Sequence, residues 1–188
     1  MIRIGIVGDI GSGKSYVSKQ FGYPVFNADK EVAKLYKKNK KCYNKLKKAL
    51  PKYITSFPVK KLALARAINA NETNLKKIIQ IVHPEIQFIM NNFIKKNKNK
   101  KFVILDIPLL IENKINKKKD ILIFVDANKK EINKRLKKRT NFDHKILIKF
   151  RKLQLPLEKK KQKSDYILKN NFRVNSIKKN VKKVLSFF

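Results

Sequence analysis

Glycine is scarce in this 188-residue chain, and all five glycines (Gly5, Gly8, Gly11, Gly13 and Gly22) fall within the first 22 residues. None therefore remains downstream to form the D-x-x-G switch of a regulatory GTPase. Asn116 to Asp120 (N-K-K-K-D) is also one residue too long for the base-reading N-K-x-D segment of those proteins. A single cysteine, Cys42, excludes an intramolecular disulfide and fits a reducing cytoplasm, with packing as its expected role. The two histidines are widely spaced from it and from each other, so a structural zinc site cannot be assembled. Apolar runs such as Ile121 to Val125 are far too short to span a bilayer, and no membrane partner is expected. No signal leader is expected, since the first residues read as a strand and lack a charged segment followed by an apolar signal core. What remains is one globular unit, large enough to bury a core and to carry small inserted subdomains.

Acidic residues are also few. Thirteen Asp and Glu face 48 Lys and Arg, giving a formal net charge of +35. Such a balance can mark a nucleic-acid partner, since a basic face releases counterions from phosphates. Here the charge is mostly lysine and is spread over every segment, with asparagine also abundant, as an A-rich coding composition would produce. No basic run is interleaved with aromatics as a stacking platform requires, so solvated helix faces are the expectation and no specific nucleic acid is expected. The charge would still draw polyanionic ligands toward the surface.

Against that background one segment stands out. Gly8-Asp9-Ile10-Gly11-Ser12-Gly13-Lys14-Ser15 spells G-x-x-x-x-G-K-S directly after the apolar run Ile2 to Val7. A buried strand feeding a glycine turn that opens a helix is the context in which backbone N–H groups converge on phosphate oxygens. The glycines let the backbone approach an anion, Lys14 can reach the β- and γ-phosphates, and the Ser15 hydroxyl can sit on Mg2+. This reads as a nucleotide-binding protein.

Further along, Tyr23 to Phe26 reads as a short strand ending near Asp29, and a helix with Val32, Leu35 and Tyr36 follows. Residues 37–100 are helical in pattern and lysine-rich, with Pro51, Pro58 and Pro84 expected to break them into pieces. Phe102 to Leu105 and Ile121 to Val125 read as fully buried strands, each followed by an aspartate. A helix is expected from Lys129 to Arg139, a last strand at Asp165 to Leu168, and an amphipathic helix through Ile177, Val181, Val184, Leu185 and Phe188. Strands alternating with helices imply an α/β fold with a parallel sheet covered on both faces.

Several side chains then have two readings each. Asp29, at the end of a strand near the glycine turn, could take the proton of an attacking hydroxyl or cap a helix. Asp106 has the placement of a Walker-B acid that holds Mg2+ directly or through water. In the segment Pro108-Leu109-Leu110-Ile111-Glu112 the apolar residues would shape a wall, while Glu112 could meet substrate or cap a helix. Arg135 and Arg139, four apart on a helix, could clamp phosphoryl oxygens with planar guanidinium groups, or Arg135 could pair with Glu131. His83, held extended by Pro84, is either a buried hydrogen-bonded imidazole or a substrate contact.

Taken in order, these motifs resemble the dephospho-CoA kinase family, the last enzymes of coenzyme A synthesis. The family's G-x-I-G-S-G-K-S loop is matched by Gly8 to Ser15, its P-V-[IF]-D-A-D segment by Pro24 to Asp29, its H-P pair by His83-Pro84, and its P-L-L-[FI]-E by Pro108 to Glu112. Its R-x-x-x-R pair is matched by Arg135 and Arg139. Its glutamine, then a basic residue six later, then A-D-x-x-[IL]-x-N, are matched by Gln154, Lys160 and Ser164 to Asn170. Tyr16 stands where the family has threonine, Asn27 where it has the first aspartate of D-A-D, and Ser164 where it has alanine.

The resemblance implies a P-loop kinase fold, with a five-stranded parallel sheet flanked by helices, a helical substrate insert and a lid. It places the nucleotide-binding core at 1–36, 100–139 and 165–188, the CoA-substrate insert at 37–99, and the lid at 140–164. It implies transfer of the γ-phosphoryl of MgATP to the ribose 3′-hydroxyl of dephospho-CoA in the cytoplasm, with those two small molecules as partners. Asp29 would be the base, with Lys14 and Arg139 stabilising the transferring group. Gly8 to Ser15, Tyr16 and Arg135 would contact ATP, and by position Asn170 or Asn171 would meet the adenine. Asp29, His83, Pro108, Leu109, Leu110 and Glu112 would contact the acceptor, and Ser15 and Asp106 would hold the metal. A nucleoside or nucleotide kinase on the same core is the enzymatic rival, and a nucleic-acid-stimulated P-loop ATPase the rival of another class; no oligomeric state is implied.

Overall fold

The computed structural model describes residues 1–138 and 143–188. It divides into two compact units, one formed by Met1–Asn27, Asn97–Phe142 and Arg151–Phe188, the other by Ala28–Lys96 and Asp143–Phe150.

The first unit is built on five strands, β1 (Ile2–Gly8), β2 (Val25–Asn27), β3 (Phe102–Asp106), β4 (Ile121–Ala127) and β5 (Tyr166–Asn170). They lie in the order β2-β3-β1-β4-β5, with every neighbouring pair parallel. The apolar runs seen in the sequence are the inner strands: all five residues of β3 are buried, as are five of the seven in β1. Parallel strands covered on both faces need such unbroken hydrophobic stretches. On one face, Val17 and Phe21 of helix α1 (Lys14–Gln20) and its extension, with Ile177, Val181 and Val184 of the C-terminal amphipathic helix (Val174–Leu185), close over Ile4, Ile6, Ile104, Ile123 and Val125. On the other face, β1 carries Gly5, where an added Cβ would lie 2.4 Å from Leu110 Cδ2. That missing side chain makes room for Leu110, which is fully buried.

The same unit holds helix α6 (Lys129–Lys137) after β4 and the short helix α8 (Leu157–Gln162) before β5, with α9 the C-terminal helix named above. The second unit is helical: α2 (Ala28–Lys38), α3 (Lys40–Ala49), α4 (Lys61–Ala70) and the 25-residue α5 (Glu72–Lys96), joined by the first turns of α7 (His144–Lys152). Asn39 caps α3 by accepting from Cys42 N, and Lys149 Nζ donates to the carbonyl of Ile68 at the end of α4, 2.6 Å away.

Three expectations are corrected here. Pro84 does not break the chain but lies inside α5. Proline removes one backbone hydrogen bond, yet Leu75, Ile78, Val82, Ile86 and Met90 bury a continuous stripe that keeps the helix on course. His83 is accordingly helical rather than extended. The second strand is also displaced, from Tyr23–Phe26 to Val25–Asn27, because Asn27 pairs in register with Asp106. The helix expected to reach Arg139 runs to Lys137, and Arg139 lies outside the described residues.

Candidate active site

β1 delivers the chain at Gly8 to a turn, and α1 begins at Lys14. Gly13 precedes the helix with φ +88, a left-handed conformation that a residue with a Cβ adopts at a cost. Lys14 is 9% exposed, and its ammonium donates to the carbonyls of Gly8 at 3.1 Å and Asp9 at 2.7 Å. It thus folds back over the loop it belongs to. Ser15 and Tyr16 are exposed, while Ser12 is fully buried. Asp9 is buried too; its carboxylate accepts from Ile10 N at 2.7 Å and faces the Arg151 guanidinium at 3.4 Å.

Beside the loop, at the ends of β2 and β3, Asn27 and Asp106 are register partners. The Asn27 amide nitrogen donates to the Asp106 carboxylate and to Ser15 Oγ, the latter at 3.2 Å. The hydroxyl and carboxylate that the sequence singles out for a metal therefore converge on one donor. By motif Asn27 is only a lost carboxylate, and the spacing along the chain gives no sign of this bridge.

At the end of β5, Asn170 is 3% exposed. Its amide nitrogen donates to Ser12 O at 2.7 Å and its oxygen accepts from Phe172 N at 2.8 Å. Both ends of the amide are engaged with backbone. The Arg135 guanidinium, on the exposed side of α6, lies over the Phe172 ring at 4.0 Å rather than beside Glu131.

The segment after β3 has a different character from the one expected. Leu110, assigned to the acceptor wall, is a core residue packed on Gly5, leaving Pro108 and Leu109 half-buried at the surface. Glu112 caps no helix of its own segment. Its carboxylate receives Lys160 Nζ at 2.7 Å and Leu155 N at 2.9 Å, and Lys160 also donates to Gln154 at 3.1 Å. Lys160 is 1% exposed, so this is a buried ion pair tying the start of α8 to the segment after β3. Spacing along the chain carries no sign of such a pairing.

In the other unit, Asp29 is exposed in the first turn of α2. His83 sits mid-way along α5, and its Nε2 is buried without a hydrogen-bond partner among the described residues. No helix of the described residues is long and apolar enough to cross a membrane.

Comparison with known proteins agrees along nearly the full length. A dephospho-CoA kinase from Wolbachia sp. subsp. Brugia malayi is 32% identical over 187 residues, covering 97% of this chain and 95% of that protein. The crystal structure of TT1252 from Thermus thermophilus superposes with a TM-score of 0.77 at 27% identity, over 100% of this chain and 97% of that one. Dephospho-CoA kinase from Campylobacter jejuni shares the fold, with a TM-score of 0.64 at 20% identity over 98% and 96% of the two chains. The dephospho-CoA kinase family profile matches residues 2–176, and with a P-loop closing the central strand of an all-parallel five-stranded sheet, the chain belongs to that family.

Proposed function

We propose that the protein phosphorylates the ribose 3′-hydroxyl of dephospho-CoA with ATP, releasing ADP and coenzyme A, as a cytoplasmic enzyme. The observation that carries this reading is the family match across residues 2–176. In the reaction the 3′-oxygen forms a bond to the γ-phosphorus, the bond from that phosphorus to the β–γ bridging oxygen breaks, and the hydroxyl proton leaves to a base. Asp29 is the carboxylate we assign to that proton, because the chain carries it to the start of α2 directly after the strand that ends beside Asp106. Lys14 would exchange the carbonyls of Gly8 and Asp9 for β- and γ-phosphate oxygens, following charge as it develops. Arg139 is assigned to the same task from its motif. Arg135 with the Phe172 ring offers a flat surface to the nucleotide.

Ser15 and Asp106 are the residues we assign to Mg2+. They fit it: both offer hard oxygen, and both reach the same Asn27 amide, so their oxygens are already gathered. Among the described residues no group of three or more His, Cys, Asp or Glu could hold a metal. That suits a cation bound by one carboxylate, a hydroxyl and the nucleotide's own phosphates. When bound, the ion would neutralise charge on the β- and γ-phosphates.

On the acceptor side, we assign Pro108 and Leu109 to the wall, and His83, whose Nε2 has no partner among the described residues, to a substrate atom. We divide the chain into a nucleotide core (1–36, 100–139, 165–188), an acceptor insert (37–99) and a lid (140–164) whose closure would keep water from the γ-phosphate. The test is ADP release coupled to a reporter, with and without dephospho-CoA, and identification of the product as coenzyme A. Turnover that ignores dephospho-CoA, or prefers a nucleoside, would overturn the proposal.

A further inference from the structure

Asn170 sits at the carboxyl end of β5, beside Ala127 of β4, while β4 in turn lies next to β1. From there its amide reaches across to the glycine turn. We infer that Asn170 is a positioning residue of the phosphate-binding loop: it pins the Ser12–Gly13 peptide from the next strand but one and sets the loop's curvature before nucleotide arrives. The inference rests on reading the loop as the ATP site, but it gives Asn170 work to do without touching ATP.

Three observations converge on it. Ser12 is fully buried, so its carbonyl depends on a protein donor, and the Asn170 amide supplies one at 2.7 Å. The amide oxygen is held in turn by Phe172 N at 2.8 Å, which fixes the orientation of the group. Phe172 adopts φ +61 to bring that N–H back, so the turn after β5 is shaped around the asparagine. Finally, a Cβ on Gly13 would lie 2.5 Å from the Asn170 amide nitrogen. Glycine is required at position 13 twice over, for its φ and for the space that Asn170 fills.

The choice of amide also follows. Leucine would satisfy neither backbone group. Aspartate could accept from Phe172 N but would set an anionic oxygen against the Ser12 carbonyl, beside the seat of a polyphosphate. Asparagine alone combines donor, acceptor and neutrality at that size.

The experiment compares Asn170→Ala and Asn170→Asp with Val181→Ala, a core change in α9 chosen for comparable loss of thermal stability. Amide hydrogen exchange at residues 11–15 is followed without nucleotide, and KM is measured separately for ATP and dephospho-CoA. Both Asn170 variants are expected to speed exchange in the loop by about tenfold or more over Val181→Ala, as loss of a local restraint does. They should also raise KM for ATP by about tenfold while leaving KM for dephospho-CoA within about twofold. Exchange and ATP KM indistinguishable from Val181→Ala would overturn the inference, as would equal shifts in both KM values. Should Asn170→Ala fail to fold, Asn170→Asp, which keeps the Phe172 contact, carries the same comparison. The exchange measurement needs no nucleotide, so a failure of the ATP reading itself would show separately, as wild-type protein that does not bind ATP.

Discussion

Replacing Lys160 by methionine would leave the Glu112 carboxylate, 10% exposed, without the ammonium that now sits 2.7 Å from it. Stripping one partner from a buried pair costs about 3–5 kcal/mol, because the remaining charge stays out of water uncompensated. Glu112→Gln should cost a similar amount, since it strands an ammonium that is 1% exposed. That variant keeps an acceptor for Leu155 N and so avoids the further ~1–3 kcal/mol of orphaning a buried donor. The double variant Glu112→Gln/Lys160→Met removes both charges at nearly constant volume and should return to within about 1 kcal/mol of the parent. The two changes therefore interact by at least about 5 kcal/mol in a double-mutant cycle. Urea unfolding at pH 7 reads this directly as midpoint shifts at constant slope. In heat, each single variant should lose about 6–20 °C for a chain of this length. Additive single effects, with an interaction below about 0.5 kcal/mol, would mean the pair contributes nothing mutual and the reasoning from burial is wrong.

Four other outcomes are expected. Lys14→Ala should lower kcat/KM in the ADP-release assay by at least about 100-fold, as removal of a transition-state donor does; a folded variant with near-normal turnover would remove Lys14 from the chemistry. Asp29→Asn should reduce kcat by about 100-fold or more with ATP affinity near normal, whereas loss of stability alone would assign the carboxylate to the first turn of α2. Burial, with Glu85 adding to it, pushes the Cys42 thiol up to about 11. At pH 8 the thiolate is then about one part in a thousand, so native protein should resist iodoacetamide while urea-unfolded protein reacts readily; rapid native labelling would contradict the placement. Asn27→Asp sets a second carboxylate against Asp106 in place of a donor and should cost about 1–3 kcal/mol without metal, recovered by Mg2+ as a rise in Tm. A Tm indifferent to Mg2+ in that variant would separate Asn27 from the metal position.

The sheet was legible because its strands are short, nearly continuous apolar runs, and a run such as Phe102 to Leu105 has no polar face to offer solvent. The glycine turn was legible because its parts are contiguous. What escaped was whatever depends on partners distant in sequence. Glu112 reads alike whether it meets substrate or Lys160, and no local spacing distinguishes the two. Asn170 was expected at the nucleotide; the fold turns its amide instead to Ser12 O and Phe172 N. Leu110 reads as wall until Gly5 is found beneath it. Pro84 reads as a break because propensity is local, while the buried stripe that runs past it along α5 is tertiary.

The loop's own hydrogen bonds also bear on how it could discriminate among anions on so basic a surface. An ammonium as buried as that of Lys14 needs oxygen partners, and the carbonyls of Gly8 and Asp9 provide them. Those carbonyls carry partial charge, so phosphate oxygens bearing full charge can replace them while the backbone curve set by Ser12 and Asn170 stays as it is. Arg151 is held less firmly, 3.4 Å from Asp9 against the 2.7–2.9 Å usual for a charge-assisted bond. It is thus the cation with less to lose by turning to a phosphate. The net charge of +35 raises the local concentration of every polyanion alike. On the proposed reading, selectivity would come from cations held at the loop by oxygens already in place, as Lys14 is by the Gly8 and Asp9 carbonyls and Arg151 by Asp9, and not from the solvated lysines of the helix faces.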